Sequence, residues 1–256
     1  MTTFKHGLFM MNRHLLNLWR QPIWIAVTLV QPIIWLLLYG ALFKSVTRIP
    51  GFHSTSYIQF LTPGIVVMSA LFSAGWSGMA VIDDIDKGIL DRFLVSPVVR
   101  GSLIIGRLLN GTVIIVVQSL IIVALAVIVG ARFPNAWGII VLIVLASLLA
   151  AAVGCLSMAL ALIARREETL IAAVNFFVLP LTFLSTAFMQ RSLVPRWIQH
   201  AASVNPVNWA VEAGRNAVLP GTDWGMVLTR LGLLALLTGI CVALATRAFG
   251  AYQRAV

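Results

Sequence analysis

Five long apolar runs, each nearly free of charge, constrain what this chain can fold into. They cover residues 23–43, 58–82, 108–130, 137–163 and 226–245. About 20 apolar residues in a helix cross the hydrocarbon core of a bilayer. A sixth run, at 169–188, is interrupted by Asn175 and Pro180. Because helices satisfy their own backbone polar groups in lipid, the pattern predicts an all-α integral membrane protein with six transmembrane helices.

Composition supports a single membrane domain over residues 1–256. The chain is 60% hydrophobic and 10% charged, whereas soluble domains carry roughly 25% charged residues. The first apolar run follows about twenty polar or mixed residues, so we expect a membrane anchor and not a cleaved signal peptide. Cys155 and Cys241 both lie in apolar runs and the four His residues are scattered. Neither a disulfide framework nor a metal site is predicted.

The net charge of +10 is better explained by membrane topology than by nucleic-acid binding, because the basic residues flank apolar runs and form no cluster. If six spans start from a cytoplasmic N-terminus, eleven of the 18 Lys and Arg residues lie inside: Lys5, Arg13, Arg20, Lys87, Arg92, Arg100, Arg107, Arg165, Arg166, Arg247 and Arg254. Lys44 and Arg48 run against this bias. We therefore expect a multi-pass protein of the bacterial inner membrane with both termini in the cytoplasm.

Residues 1–21 show the period of an amphipathic helix. Their apolar stripe consists of Phe4, Leu8, Met11, Leu15 and Leu18. The basic residues lie largely off that stripe, which favours a helix on the cytoplasmic lipid surface. Periodicity alone fits an ordinary packed helix equally well.

The segment 191–223 is too apolar for a free loop and too interrupted for a span. Asn205 is predicted to cap a short helix whose first residue is Pro206. Glu212 and Arg215, three positions apart, are predicted to pair on that helix. We expect two short helices that dip into the outer leaflet, with aromatic side chains at headgroup depth: Trp197, Trp209 and Trp224.

Four amides lie at membrane depth in the predicted spans: Gln31, Asn110, Gln118 and Asn175. An unpaired amide that faces lipid is costly, so these side chains should face a cavity or another helix. We expect them to line a substrate path.

The segment 82–97 is the most charged part of the chain. A helix over 82–95 would have an apolar stripe of Ile82, Ile85, Ile89 and Phe93 opposite a charged stripe of Asp84, Lys87 and Asp91, and Pro97 would end it. A solvated loop would usually be polar throughout. The apolar stripe therefore favours a docking element between the second and third spans.

Four ordered segments carry a family resemblance: "LTPGIVVMSALFSAGW", "DKGILDRFLVSPVVRGSLIIGR", "LPLTFLSTAF" and "VNPVNWAVEAGR". Together they resemble the ABC type-2 exporter permeases, in particular the daunorubicin-resistance and nodulation-factor branch. The resemblance implies a cytoplasmic coupling helix that sits on an ATPase subunit, with docking residues Asp84, Lys87, Gly88, Asp91, Arg92, Phe93 and Pro97. It also implies an outer re-entrant hairpin that contains Trp197, Asn205, Pro206, Glu212 and Arg215. The "DKGIL" run lacks the Thr of the family's common "E-x-G-T" pattern.

The chain contains no G-x-x-x-x-G-K-[ST] phosphate loop, so it is not expected to bind and split ATP by that route. We expect a transport subunit with no catalytic residue, metal or cofactor of its own. The resemblance implies two ABC ATPase subunits that carry ATP and Mg²⁺, and a second permease that is identical or paralogous. Membrane lipids are expected partners, and nucleic acid is not. The expected cargo is an amphipathic drug, lipid or glycolipid moved outward, or alternatively a polysaccharide or lipid-linked glycan.

Two other classes of protein fit less well. A Mg²⁺-dependent enzyme acting on lipid diphosphates is suggested by "DDIDK", but Lys87 occupies the place of the last carboxylate and no second Asp cluster exists. A proton- or sodium-driven transporter would bury ionisable groups near mid-membrane. No Asp or Glu lies well inside any predicted span.

Overall fold

A computed structural model describes residues 22–49, 56–88, 100–219 and 221–255. Within these ranges the chain is helical and contains no strand. Its α-helices are α1 (Pro22–Leu42), α2 (Tyr57–Gly75), α3 (Met79–Asp86), α4 (Arg100–Ile128), α5 (Ala136–Ala164), α6 (Glu167–Phe183), α7 (Arg196–Val204), α8 (Pro206–Val218) and α9 (Trp224–Ala255). Short 3-10 helices cover Lys44–Arg48, Trp76–Gly78 and Arg191–Leu193. The predicted amphipathic helix at 1–21 lies outside the described residues.

Four helical stretches are long and apolar enough to cross a membrane: Tyr57–Asp86, Gly106–Ile128, Ala136–Ala164 and Trp224–Tyr252. Two further predicted spans correspond to shorter apolar helices. The described apolar part of α1 is Leu29–Leu42, and α6 has 17 residues. Helix α6 ends at Phe183, and its last turn contains Pro180. The count of six spans stays a prediction.

Helix α5 lies at the centre and packs against α2, α4, α8 and α9. Small residues permit its close approach to α2 and α3. A Cβ atom added to Gly78 would lie 2.6 Å from the Ser157 carbonyl oxygen. The Ser157 hydroxyl lies between the two segments, donating to the Gly75 carbonyl at 2.5 Å and accepting from the Gly78 amide at 3.0 Å. A Cβ atom added to Gly154 would lie 3.1 Å from the Ser77 hydroxyl oxygen, so these small residues also serve packing within the chain.

The helix bundle has two ends, which we name by a charged residue at each. At the Asp84 end, the guanidinium of Arg165 lies 4.6 Å from the centre of the Tyr252 ring. At the Arg215 end, the Tyr57 hydroxyl donates to the Phe188 carbonyl at 2.9 Å. Gly78 and Leu170 lie close together at the Asp84 end. Gly138 and Ala217 lie close together at the Arg215 end.

The two short helices predicted in 191–223 are confirmed as α7 and α8. The Asn205 side chain caps α8 by accepting from the Val207 amide at 2.9 Å. Its amide group also donates to the Leu181 carbonyl at 2.7 Å. Pro206 occupies the first turn, as predicted. One asparagine thus caps the helix and joins it to α6.

The prediction of one continuous helix over 82–95 is wrong. Helix α3 ends at Asp86, and Lys87 is its C-terminal cap. Gly88 follows with φ of +61°, a left-handed conformation that ends helices and that glycine adopts without steric cost. Ile82 is buried in the bundle, so this part belongs to the second span. The rest of the predicted coupling helix lies outside the described residues: Ile89, Asp91, Arg92, Phe93 and Pro97.

Candidate functional site

A cavity of about 860 Å³ lies among α1, α2, α4 and α5 and reaches the Asp84 end. Three aromatic side chains line it: Trp35, Phe72 and Trp76. Aliphatic side chains such as Ile65, Met68 and Ile115 complete its apolar wall. A cavity of this size with mostly apolar walls and a few polar groups is typical of a site for a small organic ligand.

An ion pair bounds this cavity at the Asp84 end. The Arg107 Nη2 atom donates to the Asp84 Oδ2 atom and joins α4 to α3. Both side chains are largely enclosed, at 21% and 28% exposed. Sequence reasoning did not assign Arg107 to the site, although its place at the end of the charged segment was a usable signal.

A second ion pair lies nearby on the surface. The Lys87 Nζ atom lies 2.6 Å from the Asp83 Oδ2 atom, and both side chains are more than half exposed. The hydrogen bond and charge of Asp83 raise the pKa of Lys87. Asp83 and Asp84 are thus each paired with a cation of the same chain. In a Mg²⁺ site, by contrast, the carboxylates converge on the metal ion.

The amides predicted to line a substrate path divide into two groups. Gln31, Asn110 and Gln118 line the cavity. Asn175 does not, because its face of α6 is exposed and its amide group donates to the Ile171 carbonyl at 2.9 Å. Helix α6 buries the face that contains Val174 and Val178, and the next residue along a helix points about 100° away from that face.

At the Arg215 end, an enclosed guanidinium joins three parts of the chain. The Arg215 Nε atom donates to the Phe60 carbonyl at 3.2 Å. Its Nη2 atom donates to the carbonyls of Thr186 at 2.9 Å and Ala187 at 3.2 Å. The guanidinium carbon also lies 3.6 Å from the centre of the Phe60 ring, a favourable cation–π geometry.

The predicted ion pair between Glu212 and Arg215 is wrong. The Glu212 carboxylate lies 3.5 Å from Arg191 and 3.8 Å from Arg230. Arg215 instead reaches the irregular segment 184–190, whose carbonyl groups are free to accept because no helix uses them.

Helices α7 and α8, which we call the hairpin, also contain aromatic and polar residues. Trp197 is 64% exposed, and the Trp209 indole donates to the Ser203 carbonyl at 2.7 Å. The buried Asn208 Oδ1 atom accepts from both the amide and the hydroxyl of Thr186, at 2.9 and 2.6 Å. Sequence reasoning missed Asn208, although its place in the "NPVN" run was available.

Comparison with known proteins identifies the family. The family model described as "ABC-2 type transporter" matches residues 7–219. The chain belongs to the ABC-2 type transporter family. It is 30% identical over 216 residues to the transport permease ycf38 of Porphyra purpurea, covering 84% of this chain and 74% of the relative.

Two bacterial relatives are similar over most of their length. The daunorubicin resistance ABC transporter permease protein DrrB1 of Streptomyces coeruleorubidus is 26% identical over 243 residues, covering 90% of this chain and 84% of that protein. The inner membrane transport permease YadH of Escherichia coli strain K12 is 26% identical over 212 residues, covering 81% of each.

Family membership sets the general role of this chain. It is a multi-pass ABC-2 transport permease. Permeases of this type are membrane subunits without catalytic activity of their own, and they generally work with ABC ATPase partners. The resemblance found in the sequence is thereby confirmed.

Proposed function

We propose that this chain is the permease subunit of an ATP-driven exporter that moves an amphipathic drug, lipid or glycolipid outward across the bacterial inner membrane. The cavity carries this proposal. Its apolar walls suit an acyl or aromatic group, whereas Gln31, Asn110 and Gln118 offer hydrogen bonds to a polar head. The name of DrrB1 as a daunorubicin-resistance permease is consistent with such a cargo and includes drug efflux among the possible roles.

Six spans with both termini in the cytoplasm agree best with the packing. Leu170, in the first turns of α6, contacts Gly78 at the Asp84 end. The segment that follows α6 contacts Tyr57 at the Arg215 end. Helix α6 and the segment 184–190 together therefore run from one end of the bundle to the other. We assign the Asp84 end to the cytoplasm because the basic residues Lys87, Arg107 and Arg165 lie there.

Export requires energy from separate subunits in this proposal. Two ABC ATPase subunits would hold ATP and Mg²⁺, and they would contact the cytoplasmic segment 87–97. A second permease, identical or paralogous, would complete the complex. The exposed Lys87 and the helix end at Gly88 support this placement, because Lys87 is open to contact with another subunit at the Asp84 end. Asp84 serves the permease itself, through its ion pair with Arg107.

The function is tested in inside-out membrane vesicles, where outward export appears as uptake into the lumen. The full chain is co-expressed with the ABC ATPase that co-purifies with it, and ATP-dependent uptake of a fluorescent phospholipid and a fluorescent alkyl glycoside is measured. Uptake should require both subunits and should vanish when the phosphate-loop lysine of the ATPase is replaced by alanine. Uptake by the permease without the ATPase, or ATP hydrolysis by the permease alone, would contradict the proposal.

Docking is tested by Asp91→Lys, with Glu168→Lys as the matched charge reversal at an exposed residue of the same end that lies outside the docking residues and the cavity. The control should leave co-purification of the ATPase unchanged. A partly desolvated ion pair between two proteins is worth on the order of 1 to several kcal/mol, and reversal makes it repulsive. Asp91→Lys should reduce co-purification of the ATPase at equal permease levels in the membrane. Equal recovery of the ATPase with the wild type and Asp91→Lys would remove Asp91 from the contact.

A further inference from the structure

The Asp84 end of the cavity contains two polar atoms without hydrogen-bond partners in the described part of the chain. They are the Arg107 Nη1 atom and the Asn110 Oδ1 atom, both buried. Both side chains line the cavity and lie three positions apart, so they are neighbours on one face of α4. A buried polar atom without a partner is costly.

These two atoms need opposite partners. A guanidinium nitrogen can only donate a hydrogen bond, and an amide oxygen can only accept one. A ligand that satisfies both must therefore present an acceptor and a donor close together. Because neighbouring side chains enclose both atoms in this conformation, a bound ligand reaches them after the two side chains rotate toward the cavity.

The charges around the two atoms restrict the ligand further. The charged side chains that line the cavity are Asp83, Asp84 and Arg107, which together favour a cation over an anion. Each carboxylate, however, already has a cationic partner, Lys87 or Arg107. A cationic head would leave the Arg107 Nη1 atom without an acceptor and would add a second positive charge beside it.

We propose that Arg107 and Asn110 form a subsite for a neutral, hydroxyl-rich head group such as a glycosyl unit. Adjacent hydroxyl groups supply an acceptor for Arg107 and a donor for Asn110 at once. Trp76 also lines the cavity, and an indole ring can complement the C–H surface of a sugar ring. This inference rests on the proposed transport function and narrows its cargo to amphipaths with an uncharged glycosyl head.

The test measures binding to the full chain in phosphatidylcholine nanodiscs. Radiolabelled decyl β-glucoside is the probe, with decyltrimethylammonium and decyl phosphate as competitors of equal chain length. The subsite predicts that the glucoside binds more tightly than either charged compound. Arg107→Lys keeps the charge that pairs with Asp84 but removes the second nitrogen, and Asn110→Leu removes the acceptor. Each should weaken glucoside binding about three- to tenfold, as expected for one lost hydrogen bond.

Thr246→Val is the control for removal of a polar group outside the cavity, because its hydroxyl donates locally to the Val242 carbonyl on α9. It should leave binding unchanged. Wild-type affinity in both cavity variants would overturn the subsite, as would tighter binding of either the ammonium or the phosphate compound. ATP-dependent uptake in vesicles is a separate readout, so export that persists with such a result would reject the subsite and retain the proposed function.

Discussion

Single residues at the two ends of the bundle contribute unequally to stability, and burial explains the difference. At the Asp84 end, the ion pair of Asp84 with Arg107 is largely enclosed, whereas the pair of Asp83 with Lys87 is mostly exposed. Water and salt screen an exposed pair, and its contribution is small. An enclosed pair contributes little over apolar packing, but the loss of one partner leaves an uncompensated charge.

We therefore expect Asp84→Ala to destabilise the permease by about 1–3 kcal/mol, because Arg107 would lose its carboxylate in an enclosed site. Asp83→Ala should change stability little. The midpoint of thermal unfolding of the purified permease compares the two. The double variant Asp84→Ala with Arg107→Met should recover part of the loss. Equal midpoints for the two single variants would show that the enclosed ion pair stabilises the permease no more than the exposed one.

At the other end, Arg215 is expected to contribute more to stability than Arg191. Arg215→Met would remove the donor from three carbonyl groups, those of Phe60, Thr186 and Ala187. Thr186 and Ala187 lie in the irregular segment 184–190, where a buried carbonyl that loses its donor costs on the order of 1–3 kcal/mol, so a large fall in the unfolding midpoint is expected. Arg191→Met, at a side chain that is 46% exposed, is the matched control. A similar small change in both variants would contradict a structural role for Arg215.

At the scale of elements, the contact between α5 and the hairpin depends on the absence of a side chain. A Cβ atom at Gly138 would lie 2.1 Å from the Ala217 carbonyl oxygen, and a backbone atom cannot rotate away. The hairpin is also joined to α6 by the Asn205 side chain and to α2 by Arg215. Helix α8 is therefore held by three longer helices.

Gly138→Ala should force α8 away from α5 and lower the unfolding midpoint, although alanine favours a helix over glycine by up to about 1 kcal/mol. Gly239→Ala on α9 is the control, because its added Cβ atom would meet nothing within 4 Å. The control should be neutral or slightly stabilising. If Gly138→Ala behaved like Gly239→Ala, the close approach of α5 to α8 would not exist in the membrane.

At the scale of the whole molecule, the packing predicts which parts share a side of the membrane. Residues 165–166 precede α6 at the Asp84 end, and residues 221–223 follow α8 at the Arg215 end. Helix α6 separates them. Its 17 residues fall a few short of the length of an average span, and the irregular segment 184–190 completes the distance.

Single cysteines placed in a background without Cys155 and Cys241 test this topology. Thr222→Cys should react with a membrane-impermeant maleimide in intact cells. Arg166→Cys should react only after the membrane is permeabilised. Labelling of both positions in intact cells would show that α6 does not cross the membrane and would reject the six-span arrangement. Thr47→Cys, between α1 and α2, tests the first span in the same way.

The sequence by itself determined the features that depend on neighbours along the chain. The apolar runs located α1, α2, α4, α5, α6 and α9, because the width of the bilayer sets a length that can be counted in residues. The cap at Asn205 and the start of α8 at Pro206 were equally local, since the capping bond reaches only Val207.

Only the tertiary structure decided which side chains meet. Glu212 and Arg215 lie three positions apart, yet each contacts residues elsewhere, Arg215 as far along the chain as Phe60. Asn175 misses the cavity because packing of Val174 and Val178 sets the rotation of α6. Asp84 meets Arg107 because the packing of α2 against α4 brings the ends of the second and third spans together. Periodicity defines a face for each helix, but in a chain that is apolar nearly all round, the partner of each face depends on close packing and buried polar contacts.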